Sequence, residues 1–101
     1  MGYGNLTMSQ SLSTATVLVS NSQGLHMRPA NLLATTASKF LSVVTLSREG
    51  QSVDCKSILG ILTLGAFQGS QIEVLADGPD AEIAIATIVN LFQRGFDEPA
   101  E

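Results

Sequence analysis

His26 is the only histidine in the chain, and Arg28 and Pro29 follow it two and three places on. These residue types in this order suit the handling of an anion. An imidazole can act as a neutral nucleophile near pH 7 and then carry a phosphoryl group, while arginine offers phosphate oxygens a planar fork of donors. Pro29 has its φ preset near the helical value and no N–H to lose, so it fits a first helical position. Behind it, Ala30, Leu33, Ala34, Ala37, Phe40 and Leu41 follow the i, i+3, i+4, i+7 spacing. The spacing predicts a helix that starts within a residue or two of Arg28. Its first N–H groups lack intrahelical partners and, with the positive end of the helix dipole, favour an anion held just ahead of the helix, where His26 sits. An arginine at that end is electrostatically unfavourable by itself, and a bound phosphoryl group would account for it. Gly24 permits the tight turn before the histidine. A lone histidine is more often an ordinary surface or core residue; its place at this helix start is what argues for a role.

Two further residues could do chemistry. Ser57 can accept from the exposed N–H groups of a following short helix, which would explain it as a cap whether or not it is modified. Cys55 has no Cys-x-x-Cys partner and reads as a small packing residue. One histidine and one cysteine fall short of the roughly four ligands a zinc site takes, so no metal is expected.

The elements that must hold these residues follow from periodicity. Residues 14–20 alternate, with Ala15, Val17 and Val19 on one face, and read as a strand. Asn21 to Gly24 form a loop that delivers His26 to the helix. Lys39 suits that helix's negative end. Residues 43–48 make a second strand with Val44 and Leu46 inward, Glu49 and Gly50 turn the chain, and residues 51–54 complete a hairpin. A short helix after Ser57 carries Ile58, Ile61 and Leu62. Residues 71–76 alternate again around Ile72 and Val74, and Asp80 and Glu82 open a last helix striped by Ala81, Ala84, Ile85, Ile88 and Phe92 and stopped by Gly95. The order βαββαβα predicts a sheet covered by helices on one face and open to water on the other. Pattern alone does not separate this from a ferredoxin-like split βαβ.

Composition narrows the classes. A chain of 101 residues that is 45% apolar supports one core and one domain. Its net charge of −4 with five Lys and Arg argues against nucleic acid as a partner. A single cysteine and no signal-peptide pattern point to the cytoplasm. Residues 1–13 are polar and Gly-rich and read as a mobile tail. Leu6 stands where a myristoylation site needs Ser or Thr, so no lipid anchor or membrane insertion is expected.

Gly24, Leu25, His26, Met27, Arg28, Pro29 and Ala30 resemble the active-site signature of the HPr family, the histidine phosphocarrier proteins of bacterial phosphotransferase systems. The segment from Lys56 to Gly65 resembles that family's second signature, around its regulatory serine. The likeness runs over residues 14–98, with 99–101 as a short tail. It implies an α+β open-faced sandwich, a four-stranded antiparallel sheet with three helices on one face. It also implies a carrier that needs no cofactor and is not itself an enzyme: Enzyme I charges His26 at Nδ1 from phosphoenolpyruvate, and His26 passes the group to an EIIA protein. By the same resemblance, Gln23, Gly24, Met27 and Arg28 surround the phosphate. Ser57 is the target of an HPr kinase/phosphorylase, and Met27, Ile58, Leu59 and Leu62 form a docking patch on a monomer. Gln23 departs from the family's small Asn or Ser. Residues 69–74 and 95–98 look more like the nitrogen-branch paralogue, NPr. A regulatory interaction module controlled at Ser57, without a part in sugar uptake, is the alternative.

Overall fold

The computed structural model describes residues 12–99. Seven main elements follow in the order β1 (Leu12–Leu18), α1 (Met27–Ala37), β2 (Val43–Arg48), β3 (Gln51–Asp54), α2 (Ile58–Thr63), β4 (Gln71–Asp77) and α3 (Ala81–Gln93). The strands form one sheet in the order β1-β4-β2-β3, and every neighbouring pair is antiparallel. This is the expected open-faced, four-stranded sheet with three helices.

Register explains how the core forms. Val17 lies opposite Ile72, and Val44 and Leu46 lie opposite Ala76 and Val74, so the inward residues of three strands meet on one face. All six are buried there, with Leu33 of α1, Ile61 of α2 and Ile88 and Phe92 of α3 packed over them. On the other face Leu12, Thr14, Thr16, Leu18, Gln71 and Glu73 are exposed, as the alternation requires.

The helix stripes hold with limits. Ala30, Leu33, Ala34 and Ala37 are buried, but α1 stops at Ala37. Phe40 only leans on the core and Leu41 is 80% exposed. The reason is a competing partner: the Leu41 and Ser42 amides donate to the Asp80 carboxylate at 2.8 and 2.9 Å, which fixes an extended exit instead of another helical turn. Beside Lys39, which directly follows the C-cap Ser38, a second cation lies near the end of α1: Lys56, whose Nζ donates to the Phe40 carbonyl at 2.9 Å. Pro29 is the third helical residue, not the first; its missing N–H belongs to the orphan set in either place. Cys55 is fully buried in the core.

Three strand boundaries differ from expectation, the first being that β1 ends at Leu18, not at 20. β1 begins at Leu12, not at 14, because Leu12 and Ser13 pair through their backbones with Asp77 and Ala76, which no side-chain alternation reports. β4 runs on to Asp77 for the same reason. Of the predicted tail, residues 1–11 lie outside the described residues, as do 100 and 101.

These connections bring the ends of four elements together. β1 ends beside the start of β4, where the Val19 amide donates to Ser70 and the Gly69 amide to the Val19 carbonyl. β4 leads away from that edge and α3, about 20 Å long, returns to it. The start of α1 and the end of α3 therefore meet at one corner.

Candidate functional site

The loop before α1 is held from both sides. The Asn21 side chain donates to the Gly24 carbonyl at 2.7 Å, and the Leu25 amide donates to the Ala66 carbonyl at 3.1 Å. Leu25 itself is buried. Gly24 has φ +67°, and a Cβ there would lie 2.4 Å from the Ala66 oxygen and 2.8 Å from Phe67 Cα. No other residue type fits so close to a backbone.

His26 is the N-cap of α1 in extended conformation, and its carbonyl accepts the first helical bond from Ala30 at 3.0 Å. Its imidazole does not cap the helix. It reaches instead to the far end of the chain: Nε2 lies 2.7 Å from Glu98 Oε2, with a third of the side chain exposed. Arg28 Nη1 donates to the Phe96 carbonyl at 2.7 Å and to the same Glu98 oxygen at 3.2 Å. Asn21 Nδ2 holds the other carboxylate oxygen at 3.0 Å. Burial of Glu98 works to raise its pKa. The hydrogen bonds from Asn21 and His26, the charge of His26 and the Arg28 contact outweigh that, so the carboxyl lies below its ordinary value.

With Nε2 committed to Glu98, the neutral ring presents Nδ1 as its free lone pair. Nδ1 is the ring nitrogen nearer the histidine's own backbone, at the start of α1. Gln23, His26, Arg28, Asp97 and Glu98 line an open cavity of about 340 Å³. A larger one, about 640 Å³, is lined by Arg48, Phe67, Glu73 and their neighbours and includes none of these residues.

The cavity thus joins Gln23, His26 and Arg28, with Gly24 at the turn before them, and adds Glu98; Asn21 holds that carboxylate, and Met27 does not line the cavity. Ser57 is elsewhere. Its Oγ accepts from the Gly60 amide at 3.0 Å as an N-cap, and it shares an open groove with Ala34, Thr35, Ser38, Ile58 and Leu59. That groove faces the second half of α1, roughly 12–18 Å along the helix from His26. Leu59 is 75% exposed and Met27 59%, whereas Ile58 and Leu62 are half-buried. Cys55 offers no nucleophile, since burial pushes its thiol up to about 12. Among the described residues no cluster of three or more His, Cys, Asp or Glu could hold a metal.

Among the described residues, a helix-covered sheet that sets one partly exposed histidine at a helix start, beside a guanidinium and a carboxylate, is the arrangement to compare with known proteins. The comparisons with known proteins give its kind. The family model described as the PTS HPr component phosphorylation site matches residues 13–94. The phosphocarrier protein HPr of Treponema pallidum is 42% identical over 83 residues, 82% of this chain and 94% of that one. Two crystal structures from Thermoanaerobacter tengcongensis superpose closely. HPr-C-His is 40% identical, covers 86% of this chain and 98% of its own, and has a TM-score of 0.83. An HPr dimer is 42% identical, covers 83% and 97%, and has a TM-score of 0.70. The chain belongs to the HPr family, the phosphocarrier proteins of the phosphotransferase system.

Proposed function

We propose that this chain accepts a phosphoryl group on His26 Nδ1 from phosphoenolpyruvate-charged Enzyme I and surrenders it to a histidine of an EIIA-type protein. The observation that carries the reading is the 2.7 Å contact between His26 Nε2 and Glu98, which leaves Nδ1 free at the start of α1. The Nδ1 lone pair attacks phosphorus, and the bond from phosphorus to the donor's nitrogen breaks. The His26 ring then carries both the phosphoryl group and the Nε2 proton, and is cationic. Glu98 faces that charge. Arg28 uses only Nη1 for its bonds to Phe96 and Glu98, so its remaining donors can meet phosphate oxygens together with the Met27 and Arg28 amides. The site is open, so a partner can reach in and reverse the step. In this scheme the chain is a carrier consumed and regenerated by other proteins' catalysis, and works in the cytoplasm. One chain supplies every residue of the site, so a monomer suffices.

Ser57 is the proposed regulatory position. A phosphoryl group there would add about two negative charges beside exposed Leu59 and half-buried Ile58, and oppose docking by repulsion and desolvation. The test is incubation with labelled phosphoenolpyruvate and Enzyme I, and separately with labelled ATP and an HPr kinase. Acid-labile label that disappears in His26→Ala supports the relay. Acid-stable label confined to Ser57, with none on His26, favours the regulatory module instead.

A further inference from the structure

We propose that Phe96 is a positioning residue for the phosphoryl site: its buried ring anchors a left-handed turn that sets both Glu98 against His26 and its own carbonyl against Arg28. The proposal rests on the reading of His26 as the acceptor. Gly95, Phe96 and Asp97 have φ values of +60°, +58° and +59°. Glycine adopts that region freely and Asp occasionally, but a bulky Phe does not, and such backbone persists only where its surroundings over-determine it.

The surroundings are specific. The Phe96 ring is fully buried and meets Phe92 edge to face at 5.0 Å, so its side chain belongs to the core. Arg94 clasps the Asp97 carboxylate from outside at 3.0 and 3.2 Å. The Asp97 and Glu98 amides close the turn onto the Arg94 and Gly95 carbonyls, both at 3.1 Å. Glu98 leaves it extended, with φ −83° and ψ 148°. Had α3 simply continued right-handed, residue 98 would lie about 7 Å farther along the helix axis, past the corner where His26 stands. The turn brings the chain back. Phe96 thus faces the core with its ring and the site with its carbonyl, which accepts from Arg28 at 2.7 Å.

The test uses the full chain with isotope-labelled histidine. Nitrogen NMR reads the His26 tautomer, and labelled phosphoenolpyruvate with Enzyme I reads the rate of acid-labile uptake. Phe96→Leu keeps an apolar anchor and should retain the Nε2–H tautomer and an uptake rate within about twofold. Phe96→Asn tolerates left-handed backbone but has no anchor. It should give mixed tautomers and uptake slower by on the order of tenfold, the size of one lost charge-assisted hydrogen bond. Phe96→Val, apolar but β-branched and averse to this φ, carries the same expectation if the Asn variant does not fold. Val44→Ala, a core cavity on β2, should lower the melting temperature yet leave the tautomer unchanged. Wild-type tautomer and uptake in the folded Asn or Val variant would overturn the proposal, as would equal losses in Val44→Ala. A wild-type chain that takes no label would sink the acceptor reading alone, because the tautomer comparison still decides on Phe96.

Discussion

Replacing Gly24 by alanine tests how the histidine loop is held, and Gly50 supplies the control. Both glycines have positive φ, +67° and +84°. An added Cβ at Gly50 meets nothing within 4 Å, whereas at Gly24 it would lie 2.4 Å from a backbone oxygen. Left-handed backbone costs an L-residue about 1–2 kcal/mol, and a stiffer unfolded chain returns about 0.4–1 kcal/mol. Gly50→Ala should therefore lose roughly 1 kcal/mol. Gly24→Ala must in addition push the 66–67 backbone away, an overpacking cost of about 1–3 kcal/mol. It must also stretch the Leu25 to Ala66 hydrogen bond, worth about 1 kcal/mol. The expected total is about 3–5 kcal/mol, a large part of the 5–15 kcal/mol typical of a domain. Urea unfolding followed by circular dichroism measures it: with a slope near 1 kcal/mol per molar, the Gly24→Ala midpoint should fall by about 2–4 M more than that of Gly50→Ala. Equal midpoints for the two variants would refute the steric argument and the close approach it rests on.

Asp80 holds the exit of α1. The Ser42 hydroxyl, then the Leu41 and Ser42 amides, keep its pKa below the ordinary carboxylate value. A carboxyl depressed in the fold contributes stability above its unfolded pKa of about 3.9, and that contribution is lost as pH falls through the folded value. The melting temperature should therefore drop more steeply below pH 4 in the wild type than in Asp80→Asn; parallel curves would remove Asp80 from the acid response. Ser57→Ala should cost about 1 kcal/mol by denuding the start of α2, and Ser57→Asp, also a good cap, should recover most of it in the same urea assay. Cys55, with its thiol raised to about 12 and fully buried, should resist a thiol reagent at pH 8 in the native protein and react at once in denaturant. Rapid native labelling would contradict its place in the core.

The local elements were legible because each rests on nearby residues. Val44 and Leu46, or Ile72 and Val74, declare a strand by alternation, Ser57 declares a cap, and the run from His26 to Ala37 declares a helix with an anion-favouring start. Ends were less legible: Leu12, Ser13 and Asp77 join strands through backbone pairing, and Leu41 leaves its helix because Asp80, 39 residues later, captures its amide.

His26 and Arg28 could be named from sequence since their meaning lies in residue type and spacing along a few positions. Glu98 and Asn21 could not, because nothing local marks a carboxylate 72 residues from the imidazole it holds. Only the return of α3 to the sheet corner, and the left-handed turn pinned by Phe96, place it there. Residue order alone determined that one imidazole stands where a helix begins. Tertiary structure decided which of its nitrogens is occupied, because that depends on a partner that the fold, not the chain, makes a neighbour.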